Sequence, residues 1–290
     1  MRGRFPVNPM KLPARVLIIA GSDSGGGAGI QADIKTLTVL GAYAMTAITA
    51  VTVQDTTGVH DFHAVPPKIV AAQIRTVLAD IGADAIKTGM LVSAECVNAV
   101  ADTLAEFSAP VYGGGAAEGG GGGASIPLVV DTVMIAKGGR ALLDDAGVEA
   151  MKMRLFPLAA LITPNAPEAA HLAHIDVDTA EDCVRAAEIL REAGARAVLV
   201  KGGHLAGDTV TDVLVDDTGV HRFSGPRLSN PSTHGTGCTL ASAIAAGLAQ
   251  GMPLYDAVVR ARAFVQEAIR TGLPFGHGTG PLNHLHAMRE

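Results

Sequence analysis

From Val16 to Thr271, short apolar runs alternate with segments whose apolar residues recur at helical spacing. That rhythm restricts the chain to a mostly parallel sheet with helices on both faces. Val16–Ala20 (VLIIA) reads as a buried strand, and Gly29–Leu40 as a helix with Ile30, Ile34, Leu37 and Leu40 on one stripe. Ala44–Val53, rich in Val and Thr, reads as a strand, and Ala85–Lys87 as a short one. Pro66–Ile81 reads as a helix whose prolines fall in the first turn, where a missing amide costs nothing. Ser93–Phe107 reads as a helix capped by Ser93. Leu128–Val130, Ala160–Ile162 and Ala197–Val200 read as strands. Thr179–Glu192, Gly237–Gly251 and Leu254–Thr271 read as helices. Val210–Val215 and Val220–Phe223, joined by Asp216-Asp217-Thr218-Gly219, read as a hairpin that adds an antiparallel margin.

A length of 290 residues allows one large α/β domain or two small ones. The tract Gly113–Gly123 cannot bury apolar surface and lacks the Lys and Ser/Thr of a phosphate-binding P-loop, so residues 113–124 read as a flexible surface loop. The strand–helix rhythm continues across the tract, so it marks no domain boundary. The formal charge of −6, without a run of Lys or Arg, argues against a nucleic-acid partner. It leaves a phosphate ligand open, because backbone amides and one local cation can hold one. Cys96, Cys183 and Cys238 are far apart and form no Cys-x-x-Cys pair, which points to a reducing, cytoplasmic setting without zinc or disulfides. The basic start, residues 1–14, lacks the apolar stretch of a signal peptide and reads as a disordered lead. No apolar run reaches the ~20 residues of a membrane span.

Five segments carry candidate chemistry. In Ser232-Thr233-His234-Gly235-Thr236-Gly237-Cys238-Thr239-Leu240, two glycines precede an Ala-rich helix. Consecutive amides and the helix's positive end can form an anion hole for a phosphoryl group in flight. Cys238 at that helix start is expected to have a lowered thiol pKa and to take a proton from a substrate hydroxyl. The other reading is a small buried Cys on a tightly packed helix. The stretch from Gly21 through Gly29 to Asp33 follows a strand and opens a helix, a usual place for ligands, although a solvated Asp33 is the simpler reading.

Thr163-Pro164-Asn165-Ala166-Pro167-Glu168 reads either as a helix cap with Glu at its third position or as side chains ordering magnesium-bound water. Lys201, at the end of a buried strand, is either a phosphate contact or a plain strand-terminal Lys. Asp131, at another strand end, either faces the same rim or initiates a turn.

The order of these motifs resembles the ribokinase-like superfamily, and within it the bacterial hydroxymethylpyrimidine/phosphomethylpyrimidine kinases of thiamine biosynthesis. The resemblance rests on AGSDSGGGAGIQADIKTLTVLGAYAMTAITAVTVQDTTGV, IKTGML, VVDTVMIAKGG, LITPNAPEA, VLVKGGHL and STHGTGCTL, with GHGTGPLNHLHA at the end. It implies a three-layer α/β/α ribokinase-like fold with a central mostly parallel sheet, residues 15–290 forming a single kinase domain. It also implies two ATP- and Mg2+-dependent steps, first on 4-amino-5-hydroxymethyl-2-methylpyrimidine and then on its monophosphate. By this resemblance Gln54 and Asp33 hydrogen-bond the aminopyrimidine, Gly21 lies against it, and Met90 and Val133 wall the ring. Cys238 is the base, Gly235, Thr236 and Gly237 form the anion hole, Asn165 and Glu168 position magnesium, and Lys201 meets a nucleotide phosphate. Relatives imply a homodimer.

Three departures from the pattern bear on loops. Ser24-Gly25 stands where Pro-Ser is common, Asn230-Pro231-Ser232-Thr233-His234 replaces a shorter approach to the anion hole, and the Gly113–Gly123 tract is long. A pyridoxal or pyridoxine kinase is the rival reading, because its substrate is also a flat ring bearing a hydroxymethyl group. Gln54 and Met90 favour the pyrimidine. A non-catalytic pyrimidine sensor would be favoured only if the base or the anion hole were missing.

Overall fold

In the computed structural model, residues 12–108, 125–136 and 139–288 are described. Among them the strands are β1 (Ala14–Ser22), β2 (Ala42–Gln54), β3 (Val59–Ala64), β4 (Ala85–Thr88), β5 (Leu128–Val130), β6 (Leu161–Ile162), β7 (Val198–Val200), β8 (Thr209–Asp216) and β9 (Gly219–Pro226). The helices are α1 (Gly29–Val39), α2 (Pro67–Asp80), α3 (Ala94–Ser108), α4 (Asp145–Arg154), α5 (Ala166–Ala173), α6 (Ala180–Glu192), α7 (Thr236–Ala249) and α8 (Leu254–Arg270). All strands join one sheet in the order β3-β2-β1-β4-β5-β6-β7-β8-β9. The run from β2 to β7 pairs parallel, while β3 on one margin and β8 and β9 on the other are antiparallel.

The apolar run of β1 explains the layering. Successive side chains of a strand point to opposite faces. Leu17 and Ile19 pack with Ile74 of α2, Val97 of α3 and Ala186 of α6. Val16, Ile18 and Ala20 pack with Leu37 of α1, Ile244 of α7 and Val258 of α8. Each fully buried aliphatic side chain contributes about 1.5–3 kcal/mol, so only a strand apolar on both faces suits this central place. The result is the expected three-layer α/β/α arrangement. Among the described residues no helix is long and apolar enough to cross a membrane.

Two elements lie outside what periodicity reveals. Strand β3 (VHDFHA) is a margin strand with no fully buried residue, so it shows no apolar alternation. Helix α4 (DAGVEAMKMR) buries only Gly147, Val148 and Met151, and its start is set by Asp144, whose carboxylate accepts from Gly147 N at 2.8 Å. Strand β1 begins at Ala14, inside the segment read as a disordered lead; Arg15, its next residue, donates to Asp84 through its own backbone amide at 2.7 Å. Residues 1–11 of that lead and the glycine tract lie outside the described residues.

The parallel strands end along one rim. Ser22, Thr88, Val130, Ile162 and Val200 are their last residues there, and the loops that follow carry the candidate site residues.

Candidate active site

A cleft of about 690 Å³ opens on that rim. Gly21, Gln54, Met90 and Val133 line it, as do Asn165, Glu168 and Lys201. Gly235, Thr236, Gly237 and Cys238 line it too. Of the residues expected at the site, Asp33 alone is absent from its wall.

The turn before α7 is built on Gly235, which caps the helix with φ +85°. A Cβ there would fall 1.8 Å from the carbonyl oxygen of Gly27, so no other residue fits. The first amides of α7 have no acceptor within the helix, and the helix's positive end adds to them. The turn is braced from behind: His234 N donates to Gly280 O at 3.1 Å, and the Thr236 hydroxyl donates to Thr233 O at 2.7 Å. A Cβ on Gly237 would lie 3.3 Å from Lys201 Nζ, so a larger residue here would press on that cation, while the Thr236 amide makes a long bond to Thr233 O at 3.4 Å.

Cys238, the third residue of α7, is partly exposed and lines the cleft. The sequence expectation of a lowered thiol pKa fails here. Burial pushes the thiol up to about 12, with Asp33 and Asp131 adding to the rise while Lys87 and the Gly29 amide oppose it. Two helix N-termini do not outweigh the loss of water.

Asp33 is the second correction. It is 0 % exposed, with Lys87 Nζ 3.0 and 2.9 Å from its two carboxylate oxygens. The hydroxyl of Ser242 on α7 donates to Oδ1 at 2.6 Å. The carboxylate therefore faces inward between α1, β4 and α7 and is consumed by these partners. Lys87 carried a signal of its own: a Lys in the fully buried strand AIKT demands a buried counter-charge.

Asp131 and Lys201 form a second charged pair, with Nζ 3.0 Å from Oδ1, and Thr163 Oγ1 donates to the same oxygen at 3.2 Å. Burial favours the neutral acid, but Lys201 and then Lys87 hold the Asp131 carboxyl below the usual carboxylate range. Asp131 Oδ2 is buried and has no hydrogen-bond partner. Asn165 and Glu168 adopt the capping reading: Asn165 Oδ1 accepts from Glu168 N, and Glu168 Oε2 accepts from Asn165 N, both at 2.9 Å. Thr132 Oγ1 also donates to Glu168 Oε2 at 3.0 Å. Burial raises the Glu168 carboxyl, against the pull of Lys201.

Gln54 ends β2, where the Ser24 hydroxyl clasps its backbone, donating to Gln54 O at 2.7 Å and lying 2.8 Å from Gln54 N. Its Nε2 is 3.2 Å from His234 Nε2, which is itself 2.9 Å from Asp23 Oδ2. One ring nitrogen cannot both donate to Asp23 and accept from Gln54. With the proton on Nε2, the Gln54 amine is left without an acceptor there and is available to a ligand. Asp23 and His234 lay in quoted motifs without a role; their pairing spans 211 positions, which no local pattern shows. Met90 packs with Ala50 and Leu142, with Val133 beside them, and a Cβ on Gly21 would meet Met90 Sδ at 3.3 Å.

The sequence profile of the phosphomethylpyrimidine kinase family matches residues 23–112 and 121–283. The chain belongs to this family. Among similar family members, the hydroxymethylpyrimidine/phosphomethylpyrimidine kinase of Streptomyces coelicolor is 47 % identical over 97 % of this chain and 98 % of its own length. The thiamine biosynthesis bifunctional protein ThiED of Geobacter sulfurreducens is 50 % identical over 95 % of this chain, which spans only 53 % of that longer protein. Among solved structures, the ADP complex of Bacillus subtilis pyridoxal kinase superposes with a TM-score of 0.83 at 33 % identity, covering 96 % of this chain and 99 % of that one. The phosphomethylpyrimidine kinase of Clostridium difficile gives 0.74 at 38 % identity, covering 88 % and 99 %.

Proposed function

We infer that the chain is an ATP-dependent kinase of thiamine biosynthesis that phosphorylates 4-amino-5-hydroxymethyl-2-methylpyrimidine and then its monophosphate. The observation that carries the reading is one juxtaposition: Gln54, Cys238, the turn Gly235-Thr236-Gly237 and Lys201 all line one cleft. Gln54 supplies the donor and acceptor that a flat aminopyrimidine needs, and Met90, Val133 and Gly21 supply apolar walls. The amides of Gly235, Thr236 and Gly237 face the oxygens of the phosphoryl group, which carry charge in a loose transition state. Lys201 contacts a nucleotide phosphate.

The donor set fits magnesium. Asp131 Oδ2, buried and unpartnered, is a hard oxygen ligand, and Glu168 and Asn165 lie on the same cleft to hold bound waters. Magnesium supplies charge neutralisation of the transferring phosphate when bound. Cys238 is the group placed to receive the substrate's proton. As a thiol it only accepts a hydrogen bond from the hydroxyl, so proton transfer draws on its thiolate fraction. A loose transition state asks little of a base until late in the transfer.

A pyridoxal kinase activity is the second reading. It is supported by the likeness to the pyridoxal kinase of Staphylococcus aureus, whose complex with AMP-PCP and pyridoxal gives a TM-score of 0.83 at 34 % identity. A coupled assay of ATP consumption with hydroxymethylpyrimidine, its monophosphate and pyridoxal separates the two. Turnover of both pyrimidines, with pyridoxal at least about tenfold poorer in kcat/KM, is expected. Turnover of pyridoxal alone would reverse the assignment, and ATP-independent binding would favour a sensor.

A further inference from the structure

His234 immediately precedes the anion-hole turn, and its ring meets Asp23 and Gln54, all three lining the cleft. The place is built for that ring. A Cβ on Gly27 would fall 2.4 Å from its Cδ2, and His234 N is tied to Gly280 O. Asp23, 2 % exposed, accepts from the amides of Gly25, Gly27 and Ala28 at 2.8, 3.0 and 2.7 Å, which fixes the carboxylate. Burial opposes its charge, but His234 and the Ala28 and Gly25 amides hold its carboxyl below the usual range. An ionised carboxylate only accepts, so the 2.9 Å contact to Asp23 Oδ2 places a proton on His234 Nε2.

That proton decides how the Gln54 carboxamide lies. In the orientation described above, Gln54 Nε2 is a donor facing the donor His234 Nε2 at 3.2 Å. At the other end Gln54 Oε1 lies 3.3 Å from Thr52 Oγ1, whose single proton goes to Ser22 O at 2.7 Å. Like meets like at both ends. The two ends of a carboxamide have nearly the same shape, so its hydrogen-bond partners fix which way round it lies. Turned by half a revolution, the oxygen accepts from His234 Nε2–H, a proton it shares with Asp23, and the amine donates to Thr52 Oγ1. One lone pair and one N–H then remain, side by side, for a ligand.

We propose that His234, held by Asp23, is a positioning residue that sets ring specificity: with Thr52 it locks the Gln54 carboxamide oxygen toward the imidazole, so that the cleft takes an aminopyrimidine and rejects the same ring with an oxo group in place of the amino group. The amino compound offers an N–H donor beside a ring-nitrogen acceptor. The oxo compound offers a carbonyl acceptor beside a ring N–H, the reversed pattern, and needs the carboxamide turned back. It matches the locked carboxamide only if the ring itself is turned over, which carries the hydroxymethyl group to the opposite side. An unlocked carboxamide would accept either compound. The specificity rests on the kinase reading above, whereas the lock itself is present without substrate.

The test compares kcat/KM for hydroxymethylpyrimidine and for its oxo analogue in the parent and three variants. The parent is expected to prefer the amino compound at least about a hundredfold, because the mismatched ring leaves polar groups unpaired. His234→Leu removes the donor and is expected to lower that ratio at least about tenfold. His234→Gln carries an amine with two hydrogens, enough for Asp23 and Gln54 together, and is expected to recover most of the ratio. Damage to packing would slow both substrates alike and leave the ratio standing. Thr52→Val releases the other end of the carboxamide, is expected to lower the ratio as well, and carries the test if His234→Leu does not fold. Nitrogen NMR of the His234 ring in the parent, without substrate, is expected to show the proton on Nε2. Failure of the parent to phosphorylate either pyrimidine would strike the kinase reading. An unchanged ratio in folded His234→Leu or Thr52→Val, equal loss in His234→Leu and His234→Gln, or an unprotonated Nε2 would overturn the lock.

Discussion

The Lys201 ammonium lies 3.0 Å from Asp131 Oδ1, reaching past β6, while the other oxygen of that carboxylate has no partner. Only one edge of Asp131 is thus neutralised from within the protein. Lys201→Met should leave a buried charge unpaired and lower stability by about 3 kcal/mol, as broken buried pairs do. It should also raise KM for ATP. Asp131→Asn keeps the shape and removes the hard oxygen ligand; kcat should fall about a hundredfold, with more magnesium needed for half-maximal rate. Magnesium titrations of both variants check this. An unchanged magnesium dependence in Asp131→Asn would remove Asp131 from the cation site.

Cys238→Ala should cut phosphorylation at least about tenfold, the usual range for losing a proton acceptor, while the melting temperature stays near that of the parent. The sign of the pH effect follows from the raised thiol. With the pKa up at about 12 rather than 9, the thiolate fraction grows with pH across the whole working range. The parent's kcat should therefore climb with pH, by up to about tenfold per unit, and the climb should vanish in Cys238→Ala. A pH profile of both proteins decides whether the sulfur is the proton acceptor.

How far the sequence alone reached depended on whether a feature was local. The alternation of VLIIA with helical stripes is a local signal, and it revealed the layered sheet because a strand apolar on both faces has one stable environment. The Gly-Thr-Gly-Cys turn was also legible, since Gly235 must adopt a positive φ immediately before a helix. Strand β3 and helix α4 were not, because a margin strand and a helix with three buried residues carry little periodicity. The misreading of Asp33 is of another kind. Its partners Lys87 and Ser242 are 54 and 209 positions away, so nothing nearby tells a ligand-facing carboxylate from a buried one. The Cys238 thiol was misjudged for a related reason: helix position is local, but burial is a property of the assembled fold.

Gln54 is partly buried, and its carboxamide touches Thr52 Oγ1 at 3.3 Å and His234 at 3.2 Å, both weak contacts. Gln54→Ala should weaken pyrimidine binding about five- to thirtyfold, the loss of one or two neutral hydrogen bonds. Binding of ATP should be unaffected. Calorimetry with hydroxymethylpyrimidine and, separately, a non-hydrolysable ATP analogue measures both. Equal loss for the two ligands would indicate collapse of the loop that Ser24 clasps.

His284 couples acid stability to the catalytic helix. It is 4 % exposed, and its Nε2 lies 2.9 Å from the hydroxyl of Thr239, the residue after Cys238. Burial, helped by Lys35 and His286, lowers its pKa from 6.5 to about 4. The folded state thus favours the neutral ring. That contribution is fully present above 6.5 and is lost as pH falls through about 4. A depression of that size corresponds to roughly 3 kcal/mol. Melting temperatures between neutrality and pH 4 should therefore fall more steeply for the parent than for His284→Gln, which keeps a hydrogen-bonding side chain without the titration. A charged His284 would disturb α7 next to Cys238, so activity should decline as pH approaches about 4 in the parent and less in the variant. Parallel melting curves for the two proteins across that range would show that His284 does not set the acid limit.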